Sequence, residues 1–211
     1  MFQPTDVVTS EAEIRSVISG QFPSQQGKIV DHLDRHIRSW IERSPFLTMA
    51  DYNAAGQVDI SPKGDPAGFV KVLDDRTLAI PDRPGNHRYD SFLNIIETGR
   101  IAVMFMVPNR REVVRVNGTA QVVRDRALRE NMAIMSRIPD FAVVVRVEEA
   151  FYHCGKAVLR SALWEPDRAG PIEGLPSCAE AVFDQAKIAD RSLAELEAAF
   201  RANEERRLYD E

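Results

Sequence analysis

The sequence predicts a mainly β member of the α+β class, built on an antiparallel barrel-like sheet with flanking helices. Three observations carry this expectation. From Phe46 onward the chain breaks into short β-type runs separated by turn residues. Few helical segments lie between those runs, so the crossovers of a parallel sheet are missing. The run 101–107, bounded by Gly99 and Pro108-Asn109, is continuously apolar, as expected of a strand buried on both faces. With 211 residues, 44% of them hydrophobic and 28% charged, the chain suits one domain with an appended helix and a proper core.

Taken in order, Val30, Leu33, Ile37, Trp40 and Ile41 recur at helical spacing, which predicts an amphipathic helix over 29–43. Ser44-Pro45 ends it, because the residue before proline avoids the helical region. A shorter helix is expected near 11–19. The runs 46–52 and 57–61 flank Asn53-Ala54-Ala55-Gly56 and read as a hairpin; 69–73 and 77–80 flank Asp74-Asp75-Arg76 and read as a second. Tyr89, Phe92, Leu93 and Ile96 would share one helical face, with Gly99 as C-terminal cap. Residues 112–124 alternate, and Asn117-Gly118 within them fits either a tight hairpin turn or a glycine bulge in one long strand. A helix is expected over 127–138 and a strand over 141–148. The tail carries a capping box, Ser192 with Glu195, before a stripe of Leu193, Leu196 and Phe200. The chain thus divides into a helical arm (1–44), a strand-rich middle (45–165) and a helical extension (166–211).

The net charge of −5 argues against a general nucleic-acid or membrane-surface binder. The N-terminus lacks a charged and apolar leader, and the longest apolar run is too short to cross a bilayer, so a cytoplasmic protein is expected. Cys154 and Cys178 match no zinc or redox spacing, and Cys154 is expected to be a small buried residue. His32 and His36 stand at a zinc-compatible spacing but lack a third ligand, so they read as a solvated helix face. His153 and Cys154 would point to opposite faces of a strand, which argues against a nucleophile and its base. Ser61 has no histidine in motif context, and Glu148-Glu149 reads as a solvated strand end.

The most informative stretch is Ile80-Pro81-Asp82-Arg83-Pro84-Gly85-Asn86-His87-Arg88-Tyr89. It leaves a strand, turns at Pro84-Gly85 and enters a helix with Asn86 as the expected cap. Two arginines and free backbone N–H groups at a helix N-terminus favour an anion such as phosphate. A second contributor is Asp59-Ile60-Ser61-Pro62-Lys63-Gly64-Asp65. Strand alternation puts Asp59, Ser61 and, if the strand persists past Pro62, Lys63 on one face. The same residues also fit ordinary solvated turn chemistry, since no Walker loop or dinucleotide fingerprint is present.

The order hairpin, Ser61-Pro62-Lys63-Gly64-Asp65, strand, Pro81 to Arg88, helix, buried strand, then Arg115-Val116-Asn117-Gly118-Thr119-Ala120, resembles the pyridoxamine 5′-phosphate oxidase-related FMN-binding proteins. The segment from Cys154 to Trp164 is similar to one branch of that group, mostly of unassigned function. The resemblance covers roughly residues 30–210. It implies a six-stranded antiparallel split β-barrel that pairs as a homodimer with FMN at the interface. It also implies that Arg83, Asn86 and Arg88 lie near the FMN phosphate. Asp59, Ile60, Ser61, Lys63 and Gly64 would run beside the phosphate and ribityl chain, with Lys63 as a charge partner. The backbone of Ile80, Pro81 and Asp82 would edge the ring. Lys156 and Arg160, four apart on a helix, and Trp164 would complete the pocket, from the same chain or the partner's, or would instead be a charged helix face and a core tryptophan. The residues with which pyridoxamine 5′-phosphate oxidases grip their pyridoxal substrate have no recognisable counterpart, which leaves the substrate open. The implied activity is an FMN-dependent oxidoreductase. The alternatives are a flavin carrier, sensor or stress-related module without turnover, or a haem-binding split barrel using His153 or Cys154 as axial ligand.

Overall fold

The structure is a computed structural model that describes residues 1–211 other than 19, 21, 169 and 211. Its described residues form one seven-stranded sheet in the order β2-β1-β5-β6-β7-β4-β3, with antiparallel pairing throughout. The strands are β1 (Phe46–Tyr52), β2 (Val58–Gly64), β3 (Lys71–Val72), β4 (Thr77–Pro81), β5 (Arg100–Met106), β6 (Val113–Val123) and β7 (Ala142–His153). The seventh strand beyond the expected six is the two-residue β3, and the ladder stays open between β2 and β3. The mainly β, α+β class is therefore as the sequence suggests.

The core lies within the curled sheet, where Leu47, Met49, Leu78, Val103, Phe105, Val114, Val116 and Val145 are buried. Each comes from one face of a strand with period-2 alternation, and β5 alternates in burial rather than being buried throughout. Asn117-Gly118 is a bulge in one continuous β6 and not a turn: the register against β7 shifts there, from Asn117↔Glu149 to Gly118↔Val147. A Cβ at position 118 would run into the carbonyl of Arg146, so only glycine lets the two strands approach this closely.

Helix α1 (Glu11–Val17) and α2 (Pro23–Gly27) bury nothing. Helix α3 (Arg35–Ile41) is shorter than the expected 29–43. Asp34 stops it from starting earlier, because its carboxylate accepts the His36 and Ile37 N–H groups as an N-cap. Val30 and Leu33 are drawn inward for a different reason: Val30 bridges to Ala150, and the Leu33 N–H donates to the Asp75 carbonyl. His32 therefore precedes the helix and does not share a face with His36. From α3, Ile37, Trp40 and Ile41 enter the core, and the Trp40 indole donates to the Phe105 carbonyl.

Helix α4 (Asp90–Thr98) ends as expected, with Gly99 left-handed at φ 64. Its buried face differs from the expected one. Ser91, Phe92, Asn94 and Ile95 point inward, whereas Leu93 and Ile96 are exposed. The inward polar pair meets carboxylates on β1 and β2, so apolar spacing alone misplaced the face. The helix expected over 127–138 is a single short α5 (Arg126–Glu130); beyond it Ile134 and Arg137 pair with each other as an isolated bridge, which no helix allows. Strand β7 runs on to His153, past the expected end at 148. Helix α6 (Lys156–Ser161) follows, then α7 (Cys178–Gln185) and α8 (Leu193–Arg206), which pack on each other. The capping box at Ser192 and Glu195 is present, and Leu196 is buried between half-buried Leu193 and Phe200. Cys154 is exposed and not buried, because it sits where β7 has left the sheet. Among the described residues no helix is long and apolar enough to cross a membrane.

Strand β2 is the sheet edge and carries Pro62, which lacks an N–H. It continues through Pro62 with alternating exposure. Asp59, Ser61 and Lys63 are half-buried on the face toward α4, while Val58 and Ile60 project outward at 78% and 64% exposure.

Candidate functional site

Strand β2 supplies one wall of a cavity of about 310 Å³, and the segment between β4 and α4 supplies the other. Asp59, Ile60, Ser61 and Lys63 face Asp82, Arg83, Asn86 and Arg88 across it, with Ser91 and Phe92 from α4 at the base. Eight of the residues expected from the sequence thus meet in one place, although the two segments are separated by a strand pair. Gly64, Ile80 and Pro81 do not line the cavity. Ile80 and Pro81 lie in the β4–β7 ladder, opposite Val143 and Ala142, and the Asp82 N–H donates to Phe141.

Lys156, Arg160 and Trp164 are also absent from this cavity. They belong to α6 and the turn after it, where the Trp164 indole donates to the Arg110 carbonyl at 2.7 Å. Lys156 and Arg160 do share one short helix, and both are exposed.

The loop 82–89 is not shaped as a simple helix cap. Asn86 does not cap α4, which begins four residues later. Its side-chain carbonyl instead accepts the Arg88 N–H at 3.1 Å and folds the loop on itself. His87 and Tyr89 take left-handed backbone angles, φ 59 and 56, and Tyr89 occupies the N-cap position of α4 with its ring against Phe92.

The two arginines differ sharply in environment. The Arg83 Nε donates to the Asp65 carboxylate at 2.6 Å and an Nη donates to the Met132 carbonyl at 2.9 Å. The Asp65 side chain is 1% exposed and that of Arg83 16%, so this ion pair is nearly dry. The second carboxylate oxygen of Asp65 accepts the Tyr209 hydroxyl at 2.6 Å. Arg88 pairs with Asp90 at 2.6 Å but remains 71% exposed, and this bond holds its guanidinium above the usual range. The first pair fixes the loop to the barrel, and the second is open to exchange with solvent or a ligand.

Behind the cavity a polar thread runs into the core. Ser91 donates to Asp59 and lies 3.3 Å from Ser61, and Asn94 donates to Asp51 at 2.6 Å. Asp51 stands opposite Asp59 in the β1–β2 register. It is 3% exposed, and its other carboxylate oxygen has no partner. Burial raises the Asp51 pKa above the usual carboxylate value, against the opposing hydrogen bond from Asn94.

Sequence reasoning missed Asp51, Asp65, Ser91, Asn94 and Tyr209. A signal existed for two of them. Ser91 and Asn94 are three apart beside Phe92 and Ile95, so they share the inward face. Tyr209 lies 144 residues from Asp65 and left no local pattern. Among the described residues no group of three or more metal-ligating side chains is assembled.

A family model described as pyridoxamine 5′-phosphate oxidase matches residues 33–154, which includes both walls of the cavity. No curated protein matches the chain. Solved structures similar to it include HupZ from Group A Streptococcus, at 22% identity and a TM-score of 0.46, covering 56% of this chain and 92% of that one. General stress protein 26 from Bacillus anthracis shows 12% identity and a TM-score of 0.43, covering 55% and 89%. An FMN-binding protein from Syntrophomonas wolfei shows 12% identity and a TM-score of 0.41, covering 55% and 86%. Scores at this level leave the assignment to the family model, which spans more than half of the sequence: the chain belongs to the pyridoxamine 5′-phosphate oxidase family.

Proposed function

We propose that the chain binds FMN, with the phosphate between Lys63 and the Arg83–Arg88 turn, and acts as an oxidoreductase. The observation that carries this reading is the cavity itself, in which the Asp59, Ser61 and Lys63 face of β2 meets the loop 82–88. The family includes FMN-binding proteins, which supplies the identity of the ligand. Arg88, Lys63 and Asn86 would hold the phosphate, because the Arg88–Asp90 pair is exposed and can yield to a stronger anion. Arg83 would act one step behind them, as the anchor of the loop, since Asp65 already claims it. Asp59, Ile60 and Ser61 would run along the ribityl chain and Asp82 would border the ring, while Gly64, Ile80 and Pro81 lie outside the cavity.

Bound FMN supplies the hydride and electron chemistry at its ring, while the protein positions it and limits water access. Lys156, Arg160 and Trp164 lie outside the single-chain cavity, so their place in the site would require a second copy of the chain. A homodimer has further support in apolar surface left uncovered on Val58 and Ile60 of β2 and on Leu93 and Ile96 of α4. A cytoplasmic location remains part of the proposal.

The test is an absorbance spectrum of the purified protein with an FMN titration. Two flavin bands, or saturable uptake of added FMN, support the reading; a colourless protein that binds none overturns it. Reduction by NADH or NADPH then separates an enzyme from a carrier: a yellow protein that is neither reduced nor reoxidised is a carrier.

A further inference from the structure

The end of the chain returns to the candidate site. After α8, the Tyr209 hydroxyl donates to Asp65 at 2.6 Å and Asp210 pairs with Arg137 at 2.7 Å. Asp65 carries both loads: one oxygen holds Tyr209, the other the Arg83 Nε. Arg83 continues the chain of bonds to the Met132 carbonyl. The C-terminal segment, β2's end, the 82–89 loop and the segment after α5 therefore meet at one buried carboxylate. Two further hollows flank the contact. One, of about 220 Å³, lies between Pro84, Gly85 and His87 of the loop and Asn203, Arg207 and Asp210 of the tail. The other brings Tyr209 beside Arg83, Pro84 and Arg137. The loop is thus backed by the tail on the side away from the cavity.

We propose that Asp65 and Tyr209 are positioning residues for Arg83, and that the C-terminal segment is a strap whose engagement sets how readily the 82–89 loop opens to exchange a phosphate-bearing ligand. The ligand part of this statement rests on the FMN reading; the strap does not. Without the Tyr209 hydroxyl the Asp65 carboxylate loses one of its two side-chain tethers and is more costly to keep dry, so it and the Arg83 bonded to it are held less firmly in place. Loss of the Tyr209 hydroxyl therefore loosens Arg83 and, through it, the loop. Asp210–Arg137 is exposed on both sides and serves as a weaker second tie.

The experiment compares amide hydrogen exchange, without ligand, in the wild type and in the Tyr209→Phe and Arg137→Gln variants. Tyr209→Phe should speed exchange in 82–89 by roughly 13- to 160-fold, the factor for one lost hydrogen bond to a charged group, while β6 and β7 exchange as before. Arg137→Gln should act in the same direction and less. The FMN dissociation rate, followed by flavin fluorescence, should rise in the same order. Unchanged loop exchange in both variants overturns the strap, as does an equal rise in loop and core. Faster loop exchange in a protein that binds no FMN keeps the strap and rejects the FMN reading. Loop exchange that rises without a faster FMN dissociation rejects the link to ligand exchange.

Discussion

Replacing Arg83 by alanine tests whether this arginine anchors the loop or waits for a ligand. The substitution leaves the Asp65 carboxylate, 1% exposed, with Tyr209 as its remaining side-chain partner, and it strips the Met132 carbonyl of a donor. Breaking one side of a buried ion pair destabilises by about 3–5 kcal/mol, because the surviving charge is left uncompensated. For a chain of this length each kcal/mol lowers the melting temperature by about 2–4 °C, so Arg83→Ala should melt roughly 6–20 °C below the wild type. Thermal unfolding followed by circular dichroism, without any ligand, measures this. Arg88→Ala is the control: its pair with Asp90 is exposed, so its melting temperature should stay with the wild type. Adding Asp65→Asn to Arg83→Ala should recover part of the loss, since the orphaned charge is removed. The reasoning is refuted if Arg83→Ala melts with the wild type, or if both arginine variants fall equally.

Ligand binding should divide the same residues the other way. Lys63→Ala should weaken FMN binding by about 1.5–3 kcal/mol, the value of one charge-assisted bond to phosphate, and Arg88→Ala should weaken it on the order of tenfold with no loss of stability; isothermal titration checks both. Asp51 should make stability depend on pH. Its folded pKa lies above the ordinary 3.8, so its stabilising contribution is present below that value and is lost as pH rises through the folded pKa. Asp51→Asn should therefore melt higher than the wild type at neutral pH, with the difference shrinking as pH falls toward 3.8, in melts across that range. Gly118→Ala should destabilise by about 3 kcal/mol, since its Cβ meets the Arg146 carbonyl and the bulge must shift; urea unfolding reads the change.

What the sequence reveals about this molecule follows the range of the interactions involved. Asp59, Ser61 and Lys63 could be placed on one face because strand periodicity is local, and the alternation does persist through Pro62. The Gly99 cap and the Ser192 box were legible for the same reason. The helix at 29–43 was overextended because Val30 and Leu33 have helical spacing by coincidence, one half-buried and the other buried through bonds to Ala150 and Asp75 that lie far along the chain. The face of α4 was misassigned because Ser91 and Asn94 point inward toward Asp59 and Asp51, which hydropathy cannot reveal. The candidate loop could be found but the state of its arginines could not. Arg83 and Arg88 are alike in local context, and only the placement of Asp65 and Tyr209 makes one an anchor and leaves the other exchangeable.

The proline in β2 bears on how copies of this chain can meet. A bare sheet edge offers another molecule a row of amide donors and carbonyl acceptors on which to extend the sheet indefinitely. Position 62 breaks that row in the middle of a seven-residue strand, since its nitrogen has no hydrogen to give. Growth by strand addition is thereby interrupted at the very strand that carries the outward Val58 and Ile60 side chains. Any contact through β2 is left to those side chains, and a contact between side-chain surfaces can end at two copies, where strand-by-strand growth would have no natural end.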